Sequence, residues 1–267
     1  MIDSGSTDGT HEIAQKYHIR FDRIPDGTFH HARTRNYAAG LAHGDVLVYL
    51  AADAWPTNDS WLASLLSNFT DPEVGAVYGR HLPKPGVGME RADLLDVVYG
   101  PNKMVKDASS REKLGFRYYH MSTVNAALRK DVWAATGFPE QLKVFEDLGI
   151  AKKILDRGWK IVYEPEASVY HSHRHTATGF FKRYFDIGYT FRELKIWGPS
   201  ARKSLVKAGW RLVANKLGHL SRPEQVQNAG ISITYELAKS AGMLLGLNHK
   251  LLPLPLKRSM SAFRVFD

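Results

Sequence analysis

Two segments of the 267-residue chain could bind an anionic or polar ligand through side chains and turns. At residues 3–10, Asp3 precedes a turn of small residues that includes Ser4, Gly5 and Ser6. Free N–H groups in such a turn can receive an anion, and the Asp3 carboxylate can accept a hydrogen bond from an imide or a ribose hydroxyl. The alternative is a helix-capping turn, because Ser, Thr and Asp all cap well. Residues 30–36 include Arg33, whose forked guanidinium group could bind a phosphate. The alternative is that Arg33 is an ordinary surface arginine.

Two other segments suit a divalent cation. Asp53 follows an apolar run at residues 45–51, and a carboxylate just beyond a buried strand can bind a hard cation through oxygen. His171 and His173 follow a shorter apolar stretch, and neutral imidazole could complete a metal site. A turn aspartate and surface histidines are the alternatives, since the spacing fits neither a zinc finger nor a metalloprotease motif.

The pair Glu146 and Asp147 opens a predicted helix at residues 146–157. A carboxylate there could act as a general base that takes a proton from an acceptor hydroxyl. Acidic residues in a first helical turn also gain from the helix dipole, so a capping role is the alternative.

The elements that must position these residues alternate between strand-like and helix-like patterns. Apolar runs predict strands at residues 45–51, 74–78, 159–163 and 167–170, and amphipathic patterns predict helices at 58–69 and 146–157. This alternation predicts an α/β domain with a mostly parallel, Rossmann-like sheet over residues 1–195, followed by a helical region at 196–267. Ligands of such sheets sit at the carboxyl ends of the strands, where the polar segments lie.

Composition and charge narrow the class of protein. Hydrophobic residues make up 44% and cysteines are absent, which excludes a disordered chain, disulfides and thiolate metal sites. Neither a signal peptide nor a membrane-spanning stretch is evident. Of the net charge of +9, +8 falls after residue 199, where eleven basic residues face three acidic ones. A basic tail favours polyanions such as anionic lipid, a lipid diphosphate or nucleic acid, and a solvated helix surface is the alternative.

The order of the motifs resembles the family 2 glycosyltransferases, which have the GT-A fold, and in particular their rhamnosyltransferase-like members. The matching stretches are IDSGSTDGT, HARTRN with GDVLVYLAADAWP, STVNAALRKDVW, VFEDLGIAKKILDRGWKIVYEPEA and VYHSH. They span residues 2–173, roughly two-thirds of the chain.

The resemblance implies a role for each motif. Asp3 would bind the base of a nucleotide-sugar, and Asp53 stands where the metal-binding Asp-x-Asp motif has its last aspartate. Asp147 would be the catalytic base with Glu146 supporting it, and His171 would contact the metal or diphosphate, with His173 as the second candidate. The implied donor-binding residues are Asp3, Ser4, Gly5, Ser6, Arg33, Asn36, Ala52, Asp53 and Asn125.

The chain departs from the family pattern in two places. The segment Ala51-Ala52-Asp53 lacks the first aspartate of the motif. Family members normally begin with a strand and a helix ahead of the first motif, so the resemblance implies that this chain lacks both. A missing strand would expose a sheet edge.

The implied function is inverting, metal-assisted transfer of a sugar, a deoxyhexose such as rhamnose, in bacterial surface polysaccharide synthesis. The donor would be a nucleotide-diphosphate sugar, the acceptor a hydroxyl of a saccharide or lipid-linked molecule, and the cofactor Mg²⁺ or Mn²⁺. We expect a cytoplasmic enzyme on the inner face of the cytoplasmic membrane, where residues 200–217 could bind an anionic surface. The alternatives are a truncated, inactive relative and, ranked lower, a nucleic-acid-binding protein. No nucleic-acid partner is expected, because its sequence motifs are absent.

Overall fold

The computed structural model describes residues 1–86, 99–173, 175–198 and 223–267. The strands in these residues are β1 (Ile2–Asp3), β2 (Asp22–Arg23), β3 (Val46–Leu50), β4 (Trp55–Pro56), β5 (Val74–Leu82), β6 (Met104–Lys106), β7 (Asn125–Arg129) and β8 (Lys160–Tyr170). The α-helices are α1 (Thr10–Lys16), α2 (His31–Leu41), α3 (Trp61–Leu66), α4 (Arg111–Leu114), α5 (Lys130–Thr136), α6 (Glu146–Asp156), α7 (Ala177–Glu193), α8 (Pro223–Leu247) and α9 (Leu254–Met260).

The central sheet has the strand order β3-β7-β5-β8-β4, with β6 also paired to β8. The predicted α/β class with a C-terminal helical region is confirmed, but the sheet is mixed rather than mostly parallel. Within it, β5 and β8 run parallel, whereas β7 is antiparallel to both β3 and β5. Parallel neighbours need a long crossover, usually a helix. The segment ahead of β7 contains short turns and α4 instead, and it enters the sheet from the opposite end.

A second, two-stranded sheet lies beside β3. In it β1 pairs with β2 in parallel, with Ile2 opposite Asp22. A cavity of about 430 Å³ separates β1 from β3 and is also lined by α2. On β3, Val48 and Leu50 are about two-fifths exposed. The cavity therefore has one largely apolar wall.

The two strands predicted at residues 159–163 and 167–170 form the single strand β8. Its pairing with β5 shifts register between Gly79 and His81, which marks a bulge. A Cβ on Gly79 would lie 1.9 Å from the Ala167 carbonyl oxygen, so this close approach requires glycine. The strand ends at Tyr170 and delivers His171 just beyond the sheet.

Helix α6 is fixed by its apolar face. Leu148, Ile150, Ile154 and Leu155 are buried in the same cluster as Ala126 and Leu128 of β7. Burial of such side chains stabilises by about 1.5–3 kcal/mol each. This packing holds the first turn of α6, with Glu146 and Asp147, at the edge of the sheet.

Helices α7 and α8 pack closely along one another, and their buried residues Phe180, Met243 and Leu247 belong to the cluster that also contains the sheet residues. The predicted division after residue 195 stays a prediction. Within the described residues, we find no helix long and apolar enough to cross a membrane. The amphipathic segment predicted at residues 200–217 lies outside the described residues.

Candidate active site

The acidic pair opens α6 directly after Phe145, whose φ of 56° is left-handed. The Glu146 carboxylate is 4% exposed and accepts from Nη1 of Arg35 on α2. The same Nη1 lies 3.3 Å from Nδ1 of His31. Asp147 accepts through Oδ1 from the backbone N–H of Leu148 at 2.9 Å. The arrangement holds one carboxylate in an ion pair and the other in a hydrogen bond to the backbone.

The two carboxylates differ in the charges that surround them, and these charges affect their pKa values. Burial and, to a smaller extent, the negative charge of Glu146 raise the pKa of Asp147 to about 7, although Arg35 opposes both effects. Burial also raises the pKa of Glu146, and the contact with Arg35 limits that rise. A carboxylate that exchanges its proton near neutral pH suits general-base chemistry.

Asp53, His171 and His173 meet at one point, and their ligand atoms all lie within 4.8 Å of one another. Oδ2 of Asp53 is 3.5 Å from Nε2 of each histidine, and the two Nε2 atoms are 3.1 Å apart. Nζ of Lys84 lies 3.7 Å from the same Asp53 oxygen. The structure thus brings together the three residues that were predicted to hold a metal.

The chemistry of this cluster fits a divalent transition metal. Burial lowers the pKa of His171 to about 4, so its imidazole is neutral at pH 7, as a ligand must be. Two imidazole nitrogens and one carboxylate oxygen suit a divalent transition metal better than Mg²⁺, which prefers oxygen ligands alone. Asp53 remains 45% exposed, which leaves room for a phosphate oxygen beside the cluster.

Asp3 organises its own turn. Its carboxylate accepts from the backbone N–H groups of Gly5 at 2.9 Å and Ser6 at 3.1 Å, and also from the Ser6 hydroxyl. The hydrogen bond from that hydroxyl and the one from Gly5 lower the pKa of Asp3, so it is ionised at neutral pH. Gly5 has a φ of 107°, which favours glycine. The side chain of Ser4 is exposed at the same turn.

Four predicted donor-site residues have other surroundings. Asn36 binds the backbone of Phe138 and the indole N–H of Trp133. Asn125 is fully buried, accepting from Trp61 and donating to Ala167. Arg33 lies at the surface 3.6 Å from Glu140, and Ala52 is exposed on the turn before Asp53. The donor contacts of all four residues stay predictions. The hydrogen bonds of Asn36 and Asn125 stabilise the fold.

Sequence reasoning missed Arg35, Tyr49 and Thr123. Arg35 follows His31 by four residues on α2, and this helical spacing could have indicated a shared face. Tyr49 Oη and Thr123 Oγ1 are buried atoms with no hydrogen-bond partner among the described residues, and both residues line the cavity. Buried unpaired hydroxyls next to a cavity indicate a polar ligand.

The three acidic segments border one cavity. Ile2 lines it and precedes Asp3, and Ala51 lines it ahead of the turn to Asp53. Thr123 lines it as well and donates a backbone hydrogen bond to Asp147. Each of the three acidic residues therefore has a sequence neighbour or a contact residue on the wall of one cavity.

The fold is that of the GT-A glycosyltransferases. The structure is similar to a mannosyltransferase of Pyrobaculum calidifontis in complex with GDP-Man and Mn²⁺, with a TM-score of 0.54, 20% identity and coverage of 99% of this chain and 74% of that one. It is also similar to residues 1–349 of Staphylococcus aureus TarS in complex with UDP-GlcNAc, with a TM-score of 0.53, 14% identity and coverage of 100% and 78%.

The sequence is similar to two O-antigen chain rhamnosyltransferases. That of Salmonella anatum, WbaN, is 34% identical over 272 residues, covering 100% of this chain and 84% of the relative. That of Salmonella typhimurium, RfbN, is 33% identical over 273 residues, covering 100% and 85%. Residues 1–133 match the glycosyl transferase family 2. The chain belongs to this family, and the predicted nucleotide-sugar-dependent glycosyltransferase is confirmed.

Proposed function

We propose that this glycosyltransferase transfers a deoxyhexose such as rhamnose from a nucleotide-diphosphate donor to a hydroxyl of a saccharide or lipid-linked acceptor, with inversion. The names of the two Salmonella relatives support the sugar and a role in surface polysaccharide synthesis. The observation that carries the proposal is Asp147, a carboxylate that exchanges its proton near pH 7 beside the shared cavity.

Transfer requires one proton acceptor. The Asp147 carboxylate takes the proton of the acceptor hydroxyl as the hydroxyl oxygen forms a bond to the anomeric carbon. The bond from this carbon to the diphosphate oxygen breaks, and the nucleotide diphosphate leaves with the electron pair and without a proton. Attack from the face opposite the leaving group inverts the configuration. Glu146 and Arg35 hold the first turn of α6 during this step.

The remaining residues bind the donor. The Asp3 carboxylate would contact the nucleoside, and Lys84 would offset phosphate charge. Asp53, His171 and His173 would hold Mn²⁺, and a bound divalent cation neutralises the charge that grows on a departing diphosphate. The similar mannosyltransferase of Pyrobaculum calidifontis is in complex with Mn²⁺ as well as GDP-Man, which supports this choice of metal.

The replacement Asp147→Asn tests the assignment of the base. It removes the proton acceptor and keeps the shape of the side chain, so we expect kcat to fall by about 10²–10⁴-fold. Donor binding, measured by calorimetry, should change less than about threefold. Transfer is measured with a panel of nucleotide sugars.

The matched control for this variant is Asp131→Asn, since Asp131 also lies in a first helical turn, that of α5, and pairs with Arg129 at the surface. It should keep full activity. Near-normal turnover by Asp147→Asn would show that another group removes the proton.

The metal cluster is tested by His171→Ala. Because this change deletes one of three ligand atoms, we expect Mn²⁺ affinity, measured by calorimetry without donor, to fall at least about tenfold. His11→Ala, at an exposed histidine of α1, is the control. Equal Mn²⁺ affinity in all three proteins would exclude His171 as a ligand.

A further inference from the structure

The end of the chain lies against the segment that carries the acidic pair. After α9, residues 261–267 pass beside residues 143–145. Nζ of Lys143 donates to the carbonyl oxygens of Arg264 at 3.2 Å and Asp267 at 3.0 Å. We define residues 261–267 as the C-terminal tail. Lys143, four positions before Asp147, therefore binds this tail.

An aromatic contact joins the tail to the residue that precedes the acidic pair. The rings of Phe145 and Phe263 meet edge to face, with centroids 5.9 Å apart and an interplanar angle of 84°. The Arg183 guanidinium lies 5.6 Å from the Phe145 ring and 5.9 Å from the Phe263 ring. Edge-to-face aromatic pairs and cation–π contacts are both favourable, so the tail and Arg183 stabilise the position of the Phe145 ring.

Phe145 needs such support because its backbone is left-handed. A φ of 56° is strained in a residue other than glycine and persists when neighbouring contacts hold it. The Phe145 carbonyl accepts from the N–H groups of Leu148 at 3.1 Å and Gly149 at 3.4 Å. The conformation of Phe145 thus sets the start of α6 and with it the direction of the Asp147 side chain.

The tail is itself anchored on α7. Asp186 is fully buried, and its Oδ2 accepts from the backbone N–H groups of Ala262 at 2.8 Å and Phe263 at 3.0 Å. Further along, the Phe266 ring packs edge to face on Tyr189 with centroids 5.0 Å apart. Charge-assisted hydrogen bonds to a buried carboxylate fix the backbone of Phe263 firmly.

We propose that Phe263 is a positioning residue for sugar transfer, which holds Phe145 and thereby the acidic pair in its reactive orientation. This inference rests on the proposed role of Asp147 as the base. Asp186 fixes the backbone of Phe263, and the Phe263 ring packs against the Phe145 ring. Phe145 in turn sets the first turn of α6. The charged and titratable groups that face Asp147 are Glu146 beside it and Arg35 and His31 on α2.

The test is Phe263→Ala in the full chain. Loss of the ring releases Phe145, so we expect kcat to fall about 10–100-fold while the donor KM stays within about twofold. The ascending limb of the pH–rate profile should move to lower pH, because an acidic pair that leaves its buried setting loses the proton more easily. Phe263→Tyr keeps the ring and should restore kcat to within about threefold.

A second variant changes an exposed side chain, so we expect it to fold like the original protein. Lys143→Met removes the other contact to the tail at an exposed side chain, and we expect a kcat decrease of about two- to fivefold with the same direction of shift in the pH profile. Leu251→Ala, at a leucine that is 83% exposed in the same C-terminal region, is the control and should leave both unchanged.

Two results would overturn the proposal. In the first, Phe263→Ala lowers the melting temperature but keeps kcat and the pH profile, which would make the tail a purely structural element. In the second, the acceptor KM alone rises, which would make Phe263 a wall of the acceptor site. Asp147→Asn, measured in parallel, separates these results from failure of the base assignment, because it tests that assignment without touching the tail.

Discussion

At the scale of single residues, Asp147 and Glu146 differ in what surrounds them. Glu146 faces the guanidinium of Arg35, whereas Asp147 accepts backbone hydrogen bonds and lies next to the charge of Glu146. Placing like charges side by side raises the pKa of the one that lacks a cation. The ion pair of Glu146 with Arg35 therefore tunes the proton affinity of its neighbour.

This tuning predicts the pH profile. As the proposed base, Asp147 must be ionised to accept a proton, so activity should rise with pH and level off above about pH 7, the value to which burial and the charge of Glu146 raise its pKa. In Glu146→Gln a negative charge is lost and Arg35 becomes unpaired, and both changes lower that pKa. We expect the ascending limb to shift by about one unit to lower pH, measured as kcat/KM from pH 5 to 9.

Glu140→Gln is the control for this shift, because Glu140 pairs with Arg33 at the surface. It should reproduce the original profile. A limb that stays in place or moves to higher pH in Glu146→Gln would contradict the proposed coupling within the acidic pair.

The sequence allowed part of this site to be predicted. Asp53 follows β3, and His171 and His173 follow β8. These two strands run in the same direction, so their carboxyl ends lie at the same edge of the sheet and the convergence could be expected. Arg35 could not be chosen over Arg33 by residue type, because both suit an anion. The choice depends on how α2 is rotated against α6, which side-chain packing between distant segments determines.

At the scale of elements, local patterns predicted some boundaries well, although the strands predicted at 159–163 and 167–170 form the single strand β8. Local patterns did not predict the strand directions. The predicted helix at residues 146–157 is α6 (Glu146–Asp156), and the apolar run at 45–51 contains β3 (Val46–Leu50). The direction of β7 depends on pairing with β3 and β5 across about 50 to 80 residues of sequence, for which no local pattern exists. The Asn125 contacts that join β7 to β8 are hidden from sequence for the same reason.

The crossing of α7 and α8 depends on glycine. A Cβ on Gly246 would lie 2.0 Å from the Phe185 carbonyl oxygen, and one on Gly242 would lie 2.2 Å from that of Phe181. Both clashing atoms belong to the backbone, so relief requires the helices to separate. We expect Gly246→Ala to destabilise the protein by about 1–3 kcal/mol, seen as a lower melting temperature.

Gly40→Ala is the matched control for that substitution. Gly40 lies near the end of α2, and an added Cβ would meet no atom within 4 Å. Because alanine favours the helix by up to about 1 kcal/mol, this variant should be as stable as the original or more so. Equal melting temperatures for Gly246→Ala and Gly40→Ala would show that the helices adjust without cost.

At the scale of the whole molecule, the C-terminal region packs against the sheet and against the loop before the acidic pair, and it also carries most of the net charge. Helix α8 shares a buried cluster with the sheet, and the tail contacts the loop before α6. Removing residues 200–267 would therefore damage the catalytic part together with any membrane contact. Substitution of the basic residues is the better test of binding to an anionic surface.

We predict that neutralising the basic residues of the segment at 200–217 abolishes binding to anionic vesicles. Each cation near an anionic surface contributes about 1 kcal/mol, so five changes to glutamine should reduce vesicle binding by at least about 10²-fold. The variant replaces Arg202, Lys203, Lys207, Arg211 and Lys216. Flotation with vesicles that contain anionic lipid measures the effect, and binding of the original protein should weaken as salt rises.

The control must carry the same change in net charge at another place. Five exposed cations of the first 195 residues serve this purpose, namely Lys16, Arg23, Arg111, Lys113 and Arg157. Their replacement by glutamine lowers the net charge equally, so general attraction to the vesicle would fall in both variants. If both lose binding to the same degree, the segment at 200–217 has no special part in membrane contact, because only a local basic surface predicts a difference between them.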